Sequence, residues 1–379
     1  MKIVYYSGLQ FADCDFPLVK AYQQAGEDVT YIIPLLCDKL NGPLLSIEKQ
    51  IQKTDILPAS EYEEFRKYSN YMDLSNTLVV NRTTRGGSLK NVLLYFRLAF
   101  RLMKMKPDVV HITTPLAGPE FPLYLLKKKM VLTVHDPFPH SGEMSVRKEN
   151  QRIRAFKKVR KFILLNARQR RKFVKNYNIE KPVLVNRLGV YDALNAFDGV
   201  HVEEGGYILH FGRISPYKGI EYLCEAMEKV HEKNPGLKCI IAGSGVMYFD
   251  HKQYLDKPYM KFMNRYIGTE ELASLISGAL FCVCPYTDAT QSGVVSSAFA
   301  LCKPVLATDV GGLGESVIDG YTGRLIAAKD AELLADTIVE MASDHEKLCE
   351  MSLNIEREGR SGDMSWTEIA DKNLRFYEE

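Results

Sequence analysis

The sequence predicts an α/β protein with two parallel sheets. Short apolar runs alternate with helix-length amphipathic segments along the chain, which is typical of βα units. The runs form two series, separated by an acidic, glycine-containing stretch, VEEGG at 202–206. A chain of 379 residues is long enough for two domains that each bury a core. We therefore expect one domain over 1–202 and a second over 203–362.

The predicted strands follow the short apolar runs. In the first domain they are expected near residues 2–6, 29–33, 108–112, 130–135, 161–165 and 182–185. In the second they are expected at 207–212, 237–243, 261–267, 279–284, 304–308 and 323–326. Residues 38–80 are polar and irregular, which suggests an insertion or a substrate loop. The last segment, about 363–379, predicts a helix that packs back on the first domain.

The composition favours a cytoplasmic protein. It is 46% hydrophobic and 25% charged, and no apolar run reaches the roughly 18 residues of a membrane span. The opening residues MKIVYYSGLQ predict a strand that enters a loop, since their apolar run is too short for a secretion signal. The eight cysteines form no C-x-x-C pair, so we expect free thiols in a reducing compartment.

The net charge of +2 conceals an asymmetry between the two halves. Residues 1–200 contain 32 Lys and Arg against 19 Asp and Glu, a balance of +13, so the remainder has 17 against 28, a balance of −11. Residues 151–179 alone hold eleven cations and no acid. This stretch is either two solvated helix faces or a site for an anionic membrane surface. A nucleic-acid partner is disfavoured, because stacking aromatics are sparse there and the acidic half would repel a polyanion.

The loops after the second-domain strands carry glycines, cations and hydroxyls. Ligands of open parallel sheets bind beyond the carboxyl ends of the strands, and glycines let the backbone approach them closely. A turn explains any one of these loops, but together they predict a diphosphate pocket whose phosphates lie at a helix N-terminus. The candidate residues are Gly212, Arg213, Lys218, Gly243, Gly245, Thr290, Gln291, Ser292 and Gly293.

Two segments of this domain, FGRISPYKGIEYL (211–223) and KPVLATDVGGLGESVIDGYTGRLI (303–326), resemble family-4 glycosyltransferases. The resemblance is strongest from 207 to 326 and implies the GT-B fold, with two Rossmann-like domains facing each other across a cleft. It further implies that Arg213 and Lys218 grip the pyrophosphate of a nucleoside-diphosphate sugar of the UDP or GDP type. The implied acceptor is a glycan or a lipid-linked molecule, the implied outcome is retention of anomeric configuration, and the implied process is cell-surface polysaccharide or glycolipid synthesis.

The chain departs from the family at its paired glutamates, which are separated by seven residues. Alignment on residues 303–305 places Ala289 and Ser297 at the two positions. The segment DATQSG at 288–293 then offers hydroxyls, an amide and a helix N-terminus to the phosphates. The donor ribose, which the second glutamate holds in the family, therefore loses its expected partner, and Ser297 stands at that position.

In the first domain, His135 follows a predicted strand in TVHDPFPHSGE and matches the family's active-site histidine near the transferred sugar. Gly8 occupies the first βα loop, where the family often has two glycines. The residues alone leave two other interpretations of His135: a turn-fixing pair with Asp136, or a metal site formed by His135, Asp136, His140 and Glu143. His111 in VVHIT is interpreted as a structural residue at a strand end.

Transfer without a metal is the expected mechanism. Negative charge grows on the departing diphosphate, and Arg213, Lys218 and the helix at Gly293 could neutralise it. No D-x-D motif stands in a strand-end loop. A dinucleotide-dependent oxidoreductase is disfavoured because the first strand lacks G-x-G-x-x-G. A sugar-nucleotide epimerase of the GT-B fold and a non-catalytic nucleotide-sugar-binding protein remain alternatives.

Overall fold

The structure is a computed structural model that describes residues 1–138, 145–197, 206–289 and 291–379. Its strands, in chain order, are β1 Lys2–Tyr6, β2 Asp28–Leu36, β3 Asp55–Pro58, β4 Thr77–Arg82, β5 Val109–Ile112, β6 Met130–Val134, β7 Lys161–Leu164, β8 Val183–Val185, β9 Tyr207–Phe211, β10 Lys238–Ala242, β11 Met260–Met263, β12 Ala279–Cys284, β13 Val305–Thr308 and β14 Gly323–Ile326. Its α-helices are α1 Ala12–Gln24, α2 Leu89–Met105, α3 Val146–Lys158, α4 Arg170–Tyr177, α5 Ile220–Lys233, α6 Thr269–Gly278, α7 Gly293–Ala300, α8 Leu313–Ser316, α9 Ala331–Ser343, α10 His345–Ser361 and α11 Trp366–Glu378. A long 3-10 helix, Gly118–Lys129, and shorter 3-10 turns connect some of them.

The chain forms two compact units. Unit 1 contains residues 1–137, the described part of 143–187, and 366–379, and unit 2 contains Phe138 and the described part of 188–365. The change of unit at residue 188 lies upstream of the boundary at 202–203 expected from the sequence. Residues 190 and 191 explain the difference, since the Val190 amide donates to the Met364 carbonyl and the Tyr191 amide to the Ser296 carbonyl, both within unit 2.

The sheet of unit 1 has the strand order β3-β4-β2-β1-β5-β6-β7-β8. All its pairs are parallel except β3 with β4. The central strand β1 (KIVYY) is almost wholly buried, as expected for a parallel strand covered on both faces. The two α/β units confirm the fold class predicted from the alternating pattern.

The prediction that residues 38–80 are irregular is wrong for part of this range. Strand β4 begins at Thr77, is buried along its whole length, and pairs in parallel with β2. The polar Asn81 within it is satisfied by a loop distant in sequence, because its Nδ2 donates to the carbonyls of Ile51 and Lys53 at 2.6 and 2.7 Å. The polar residues Asn81 and Arg82 at its end therefore do not prevent β4 from being a buried strand, although they made it difficult to predict from the sequence.

The C-terminal helix α11 belongs to unit 1. The Tyr377 hydroxyl lies 2.7 Å from that of Tyr22 on α1, and Asn186 Nδ2 donates to the Ile369 carbonyl at 3.0 Å. The Lys161 ammonium is buried and donates to the Phe376 carbonyl near the end of this helix, where a cation also complements the helix dipole.

Unit 2 contains a six-stranded, all-parallel sheet with the order β11-β10-β9-β12-β13-β14. The strand order therefore reverses between β9 and β12. The crevice at such a reversal, beyond the carboxyl ends of the strands, is where open α/β sheets bind ligands. In this chain the reversal places the loops that follow Phe211 and Cys284 side by side.

None of the helices in the described part of the chain combines the length and the apolar content that a membrane-spanning segment requires.

Candidate functional site

The loops after β9 and β10 are joined backbone to backbone. The Gly212 amide donates to the Ala242 carbonyl and the Ile214 amide to the Ser244 carbonyl, each at 3.0 Å. Gly243 has φ +146, and a Cβ there would lie 1.8 Å from the Gly212 carbonyl oxygen. Gly245 is similarly close to the Ile214 carbonyl oxygen, at 2.4 Å from a Cβ position. Only glycine fits at residue 243, so this contact sets the shape of the candidate phosphate loop.

We expect Gly243→Ala to lower the free energy of unfolding by about 2 kcal/mol or more, since the residue combines a positive φ with a backbone collision. Gly236→Ala is the matched control in the same unit, because a Cβ there approaches no atom closer than the 3.8 Å to Asn234 Oδ1. The control is expected to change stability by less than about 0.5 kcal/mol. Urea denaturation of both variants measures the difference, and equal stabilities would refute the backbone contact.

The loop after β12 packs against the loop after β9. The Thr287 amide donates to the Tyr217 carbonyl at 2.8 Å. Gly219 has φ +64, and a Cβ there would lie 2.0 Å from the Pro285 carbonyl oxygen. Three predicted phosphate-binding loops are thus brought together at the topological switch point.

Lys218 is buried at the centre of these loops, with 7% of the residue exposed. Its Nζ donates to the Tyr286 hydroxyl at 2.6 Å and lies 3.8 Å from the centroid of the Tyr286 ring and 5.2 Å from that of Tyr217. Within the described residues, no carboxylate forms an ion pair with it. Burial lowers the pKa of Lys218 to about 8, and the neighbouring charge of Arg213 acts in the same direction. A buried ammonium held only by aromatic groups is a ready site for an anion.

The other predicted phosphate-binding residues of this loop cluster differ in their placement. Arg213 is exposed, in contrast to Lys218. Ser292 is buried, its Oγ lies 3.5 Å from the Tyr286 hydroxyl, and its side chain forms no capping bond to the amides that open α7 at Gly293. Those amides therefore have no side-chain cap from the described residues and could meet an anion. Gln291 is half-buried, whereas Thr290 lies outside the described residues.

The two residues that the sequence alignment places at the family's glutamate positions, Ala289 and Ser297, are buried. Ala289 is 1% exposed and its carbonyl accepts from the Gly312 amide at 3.2 Å. A Cβ on Gly311 would lie 1.6 Å from the same carbonyl oxygen, so the two loops are tightly packed. Ser297 on α7 is 8% exposed. At these two positions the chain thus offers a backbone carbonyl that is already bonded and a buried hydroxyl.

In unit 1, the predicted residues Gly8 and His135 are brought together through Phe11. The Phe11 amide donates to the Gly8 carbonyl at 3.1 Å, and its ring stacks on His135 with centroids 4.0 Å apart. His135 is buried, and burial lowers its pKa to about 4 against the opposing effect of Asp136. The imidazole is therefore neutral near pH 7. It borders a cavity of about 240 Å³, whose lining also includes Thr113, Lys148 and Arg152.

His111 is a structural residue, as predicted. Its Nε2 lies 2.6 Å from Thr133 Oγ1 and its Nδ1 lies 2.6 Å from the Tyr377 hydroxyl. Burial lowers the pKa of His111 to about 3. The alternative metal site cannot be compared in the same way, because two of its four members, His140 and Glu143, lie outside the described residues.

Sequence reasoning missed Tyr286. It is fully buried, and it provides both the hydroxyl and the ring that hold the Lys218 ammonium. The available signal was an aromatic residue directly after the strand-ending Pro285. His210 on β9 was also missed. It is buried with its Nδ1 donating to the Val283 carbonyl at 3.0 Å, and burial, together with the charge of Lys218, lowers its pKa to about 4.

Known proteins resemble this chain in both units. The model of the family described as Glycosyltransferase Family 4 matches residues 18–192, and that of Glycosyl transferases group 1 matches residues 205–344. An uncharacterised glycosyltransferase of Methanocaldococcus jannaschii is 29% identical over 217 residues, which cover 55% of this chain and 58% of that protein. Glycogen synthase of Mycobacterium tuberculosis is 27% identical over 173 residues, covering 45% of this chain and 42% of the relative. The chain thus spans about half the length of these relatives.

Solved structures resemble the whole chain. Sucrose-phosphate synthase of Thermosynechococcus elongatus has a TM-score of 0.66 at 17% identity, with 100% of this chain and 98% of that chain covered. HepE of Anabaena, in complex with UDP, has a TM-score of 0.65 at 16% identity, with both chains covered completely. At these identities the likeness concerns the fold alone. Together with the two family matches, it shows that the chain belongs to the family-4 glycosyltransferases of the GT-B fold.

Proposed function

We propose that this protein transfers a sugar from a nucleoside-diphosphate donor to a glycan or lipid-linked acceptor. The observation that carries the proposal is the buried Lys218 ammonium at the switch point of unit 2. Burial of a charge without a counter-ion is costly, and an anionic ligand offsets that cost. A diphosphate is large enough to reach Lys218, the exposed Arg213 and the amides that open α7.

The choice of a nucleoside diphosphate has support from structural neighbours. HepE of Anabaena has been solved with UDP, with UDP and glucose, and with UDP-glucose, and the catalytic domain of starch synthase IV of Arabidopsis thaliana with ADP and acarbose. We propose a donor of the UDP or GDP type for this chain. An assay with a panel of UDP-, GDP- and ADP-sugars tests this choice, with released nucleotide and the glycosylated product both measured.

The chemistry follows from charge. As the anomeric bond breaks, negative charge develops on the leaving diphosphate, and preorganised groups that bind this charge lower the barrier. In our proposal the protonated Lys218, Arg213 and the α7 amides of unit 2 bind this charge. His135 is neutral and lies at a cavity wall of unit 1, so it would bind the sugar or acceptor by hydrogen bonds rather than by charge. We further propose that the anomeric configuration is retained. Determining the stereochemistry of the product tests this proposal.

The proposed reaction needs no divalent metal, because the cationic side chains and the helix amides would stabilise the negative charge on the leaving diphosphate. Activity is therefore expected to persist at full rate in excess EDTA. The measurement is turnover with and without the chelator, followed by addition of magnesium or manganese. Loss of activity on chelation and its return with metal would contradict the proposal and favour the His/Asp/Glu alternative at 135–143.

A non-catalytic nucleotide-sugar-binding protein is a second candidate, since both family glutamate positions hold uncharged residues, Ala289 and Ser297. The two candidates differ in turnover. Nucleotide binding without product for any donor and acceptor pair would favour the binding protein, whereas interconversion of the free sugar nucleotide would favour an epimerase.

We also propose that the enzyme works in the cytoplasm, peripherally attached to the inner face of the plasma membrane, in cell-surface polysaccharide or glycolipid synthesis. The basic stretch 151–179 is the part of the sequence that suggests this membrane contact. Nine of their eleven cations are exposed: Arg154, Lys157, Lys158, Arg160, Arg168, Arg170, Arg171, Lys172 and Lys175. The other two are engaged, since Lys161 bonds to α11 and Arg152 lies 3.4 Å from Glu149 and donates to the Pro137 carbonyl at 3.0 Å.

A further inference from the structure

A surface of unit 1 that the sequence did not single out exposes a continuous apolar stripe. The α2 face, as we define it, consists of the exposed side chains of Leu89, Leu93, Phe100 and Met103 on α2 and of Phe121 and Leu125 on the 3-10 helix 118–129. These side chains are 45% to 73% exposed. A contiguous cluster of large exposed apolar side chains indicates an interaction site, whereas single exposed apolar residues are normal on a protein surface.

The stripe is regular along the helix. Residues 89, 93, 96, 100 and 103 are spaced by four, three, four and three positions, so they lie on one side of α2. The opposite side, with Leu94, Leu98 and Leu102, is buried in the core of the unit. Helix α2 is therefore apolar on two sides, and the core accounts for only one of them.

Aromatic contacts join the two elements of the α2 face. The Phe96 ring packs edge-on against Phe121, with centroids 5.7 Å apart, and stacks beside Phe100 at 6.5 Å. These contacts make the stripe of α2 and the exposed side chains of the 3-10 helix one continuous surface.

The exposed charged side chains of the two elements that form the α2 face are all Lys or Arg. Helix α2 contains no acidic residue, and Glu120 of the 3-10 helix is used internally, accepting from the Tyr6 hydroxyl at 2.7 Å and the Ala117 amide at 2.9 Å. Arg97 pairs with Asp55 at 2.9 Å. Five further exposed cations have no ion-pair partner in the described part of the chain: Lys90, Arg101, Lys104, Lys127 and Lys128.

We infer that the α2 face docks on the interface of an anionic lipid bilayer, with its apolar stripe at the boundary between headgroups and acyl chains. An apolar stripe beside Lys and Arg is the pattern of helices that lie in this interface. A second copy of the chain fits less well, because a symmetric contact through this face would bring its cations together. The inference deepens the proposed function and rests on it for the lipid-linked acceptor, but its test does not require turnover.

The α2 face differs from the basic stretch 151–179 in what it offers a bilayer. Among the described side chains of that stretch, Ile153 is the one large apolar group that is substantially exposed, at 37%. Cations alone give attraction that salt screens, whereas inserted apolar groups give binding that persists at higher ionic strength. We therefore assign anchoring to the α2 face and only electrostatic attraction to residues 151–179.

The test is co-sedimentation of the full chain with phosphatidylcholine vesicles with and without phosphatidylglycerol, at low and high salt. The wild-type protein is expected to bind the anionic vesicles. A double variant, Leu93→Ser with Phe100→Ser, is expected to have an affinity for these vesicles that is lower by about tenfold or more. Both side chains are exposed, and serine at these positions does not insert into the bilayer. Leu353→Ser, which alters an α10 residue that is 62% exposed, is the matched control and is expected to bind like the wild type.

Two further variants separate the surfaces and the occupants. Arg101→Gln with Lys104→Gln is expected to reduce binding at low salt more than Arg170→Gln with Arg171→Gln on α4. Sedimentation velocity without lipid is expected to show the same oligomeric state for the wild type and for the Leu93→Ser, Phe100→Ser variant. The nucleotide affinity of every variant should equal that of the wild type. If the proposed function is wrong, the wild type will not bind nucleotide, and the vesicle experiment will still test the α2 face independently.

Three outcomes would overturn the inference. They are equal binding of wild type and the Leu93→Ser, Phe100→Ser variant to anionic vesicles, absence of wild-type binding at low salt, and a wild-type dimer that this variant abolishes. The last would assign the α2 face to a second copy of the chain.

Discussion

Replacement of Lys218 by methionine is expected to lower kcat/KM by about 10²-fold or more, the effect of removing one preorganised group from a developing negative charge. Nucleoside-diphosphate affinity should fall by about 1.5 to 3 kcal/mol, the range for a hydrogen bond to a charged group. Methionine retains the apolar stem in the buried space between Tyr217 and Tyr286, so the loss reports on the ammonium. Arg213→Ala should weaken binding within the same range.

The same substitution should not destabilise the ligand-free protein. In the folded chain the pKa of Lys218 is about 8, below the usual lysine value of 10.5. Between these values the unfolded chain binds more protons than the folded chain, so wild-type stability should rise with pH from about 8 to 10.5, and the methionine variant should lack this rise. Thermal unfolding across this pH range measures both effects. Lys252→Met, at an exposed lysine of the same unit, is the control and should retain the wild-type profile.

His135→Ala is expected to lower turnover by about 10²-fold or more while nucleotide affinity is unchanged. The physical reason is location, because His135 borders a cavity of unit 1 whereas the phosphate-directed loops belong to unit 2. Since the ring stacks on Phe11, His135→Asn provides a second variant of closer size. Steady-state kinetics and nucleotide titration of both variants separate turnover from binding.

His111→Ala is the matched comparison for His135. His111 lies within β5 and His135 directly follows the neighbouring strand β6, and both are buried, but both ring nitrogens of His111 are bonded to hydroxyls. Its loss should lower the melting temperature first, because it leaves buried hydroxyls without partners. If His135→Ala unfolds the protein in the same manner, or abolishes nucleotide binding, His135 has a structural role and the assignment is wrong.

Much of the fold could be predicted because parallel strands buried on both faces are short apolar runs. The strand over 279–284 has the predicted bounds, and β1 and β9 begin where expected. The sequence did not predict strand β4, because its polar residue Asn81 is satisfied by contacts with a distant loop, which no local pattern encodes. The position of the unit boundary near residue 188 could not be predicted for a similar reason, since residues 190 and 191 bond to segments more than a hundred positions away.

The candidate site shows a comparable division. Strand ends and glycines indicated which loops meet, and the switch point of unit 2 brings those loops together. The burial of Lys218, and its contact with Tyr286 at 2.6 Å, depend on tertiary packing and could not be predicted from spacing. Burial also distinguishes Lys218 from the exposed Arg213, although the two cations lie in one short loop.

The most direct test of the central claim is calorimetric titration of UDP, GDP and ADP into the wild-type protein and the Lys218→Met variant, at pH 7 and pH 9. We expect at least one nucleoside diphosphate to bind the wild type at a single site. Its affinity should fall about tenfold or more in the variant. It should also fall in the wild type from pH 7 to pH 9, because the Lys218 ammonium, with a pKa of about 8, loses its proton over this interval. Binding of none of the three, or binding that is equal in the two proteins and at both pH values, would contradict the account.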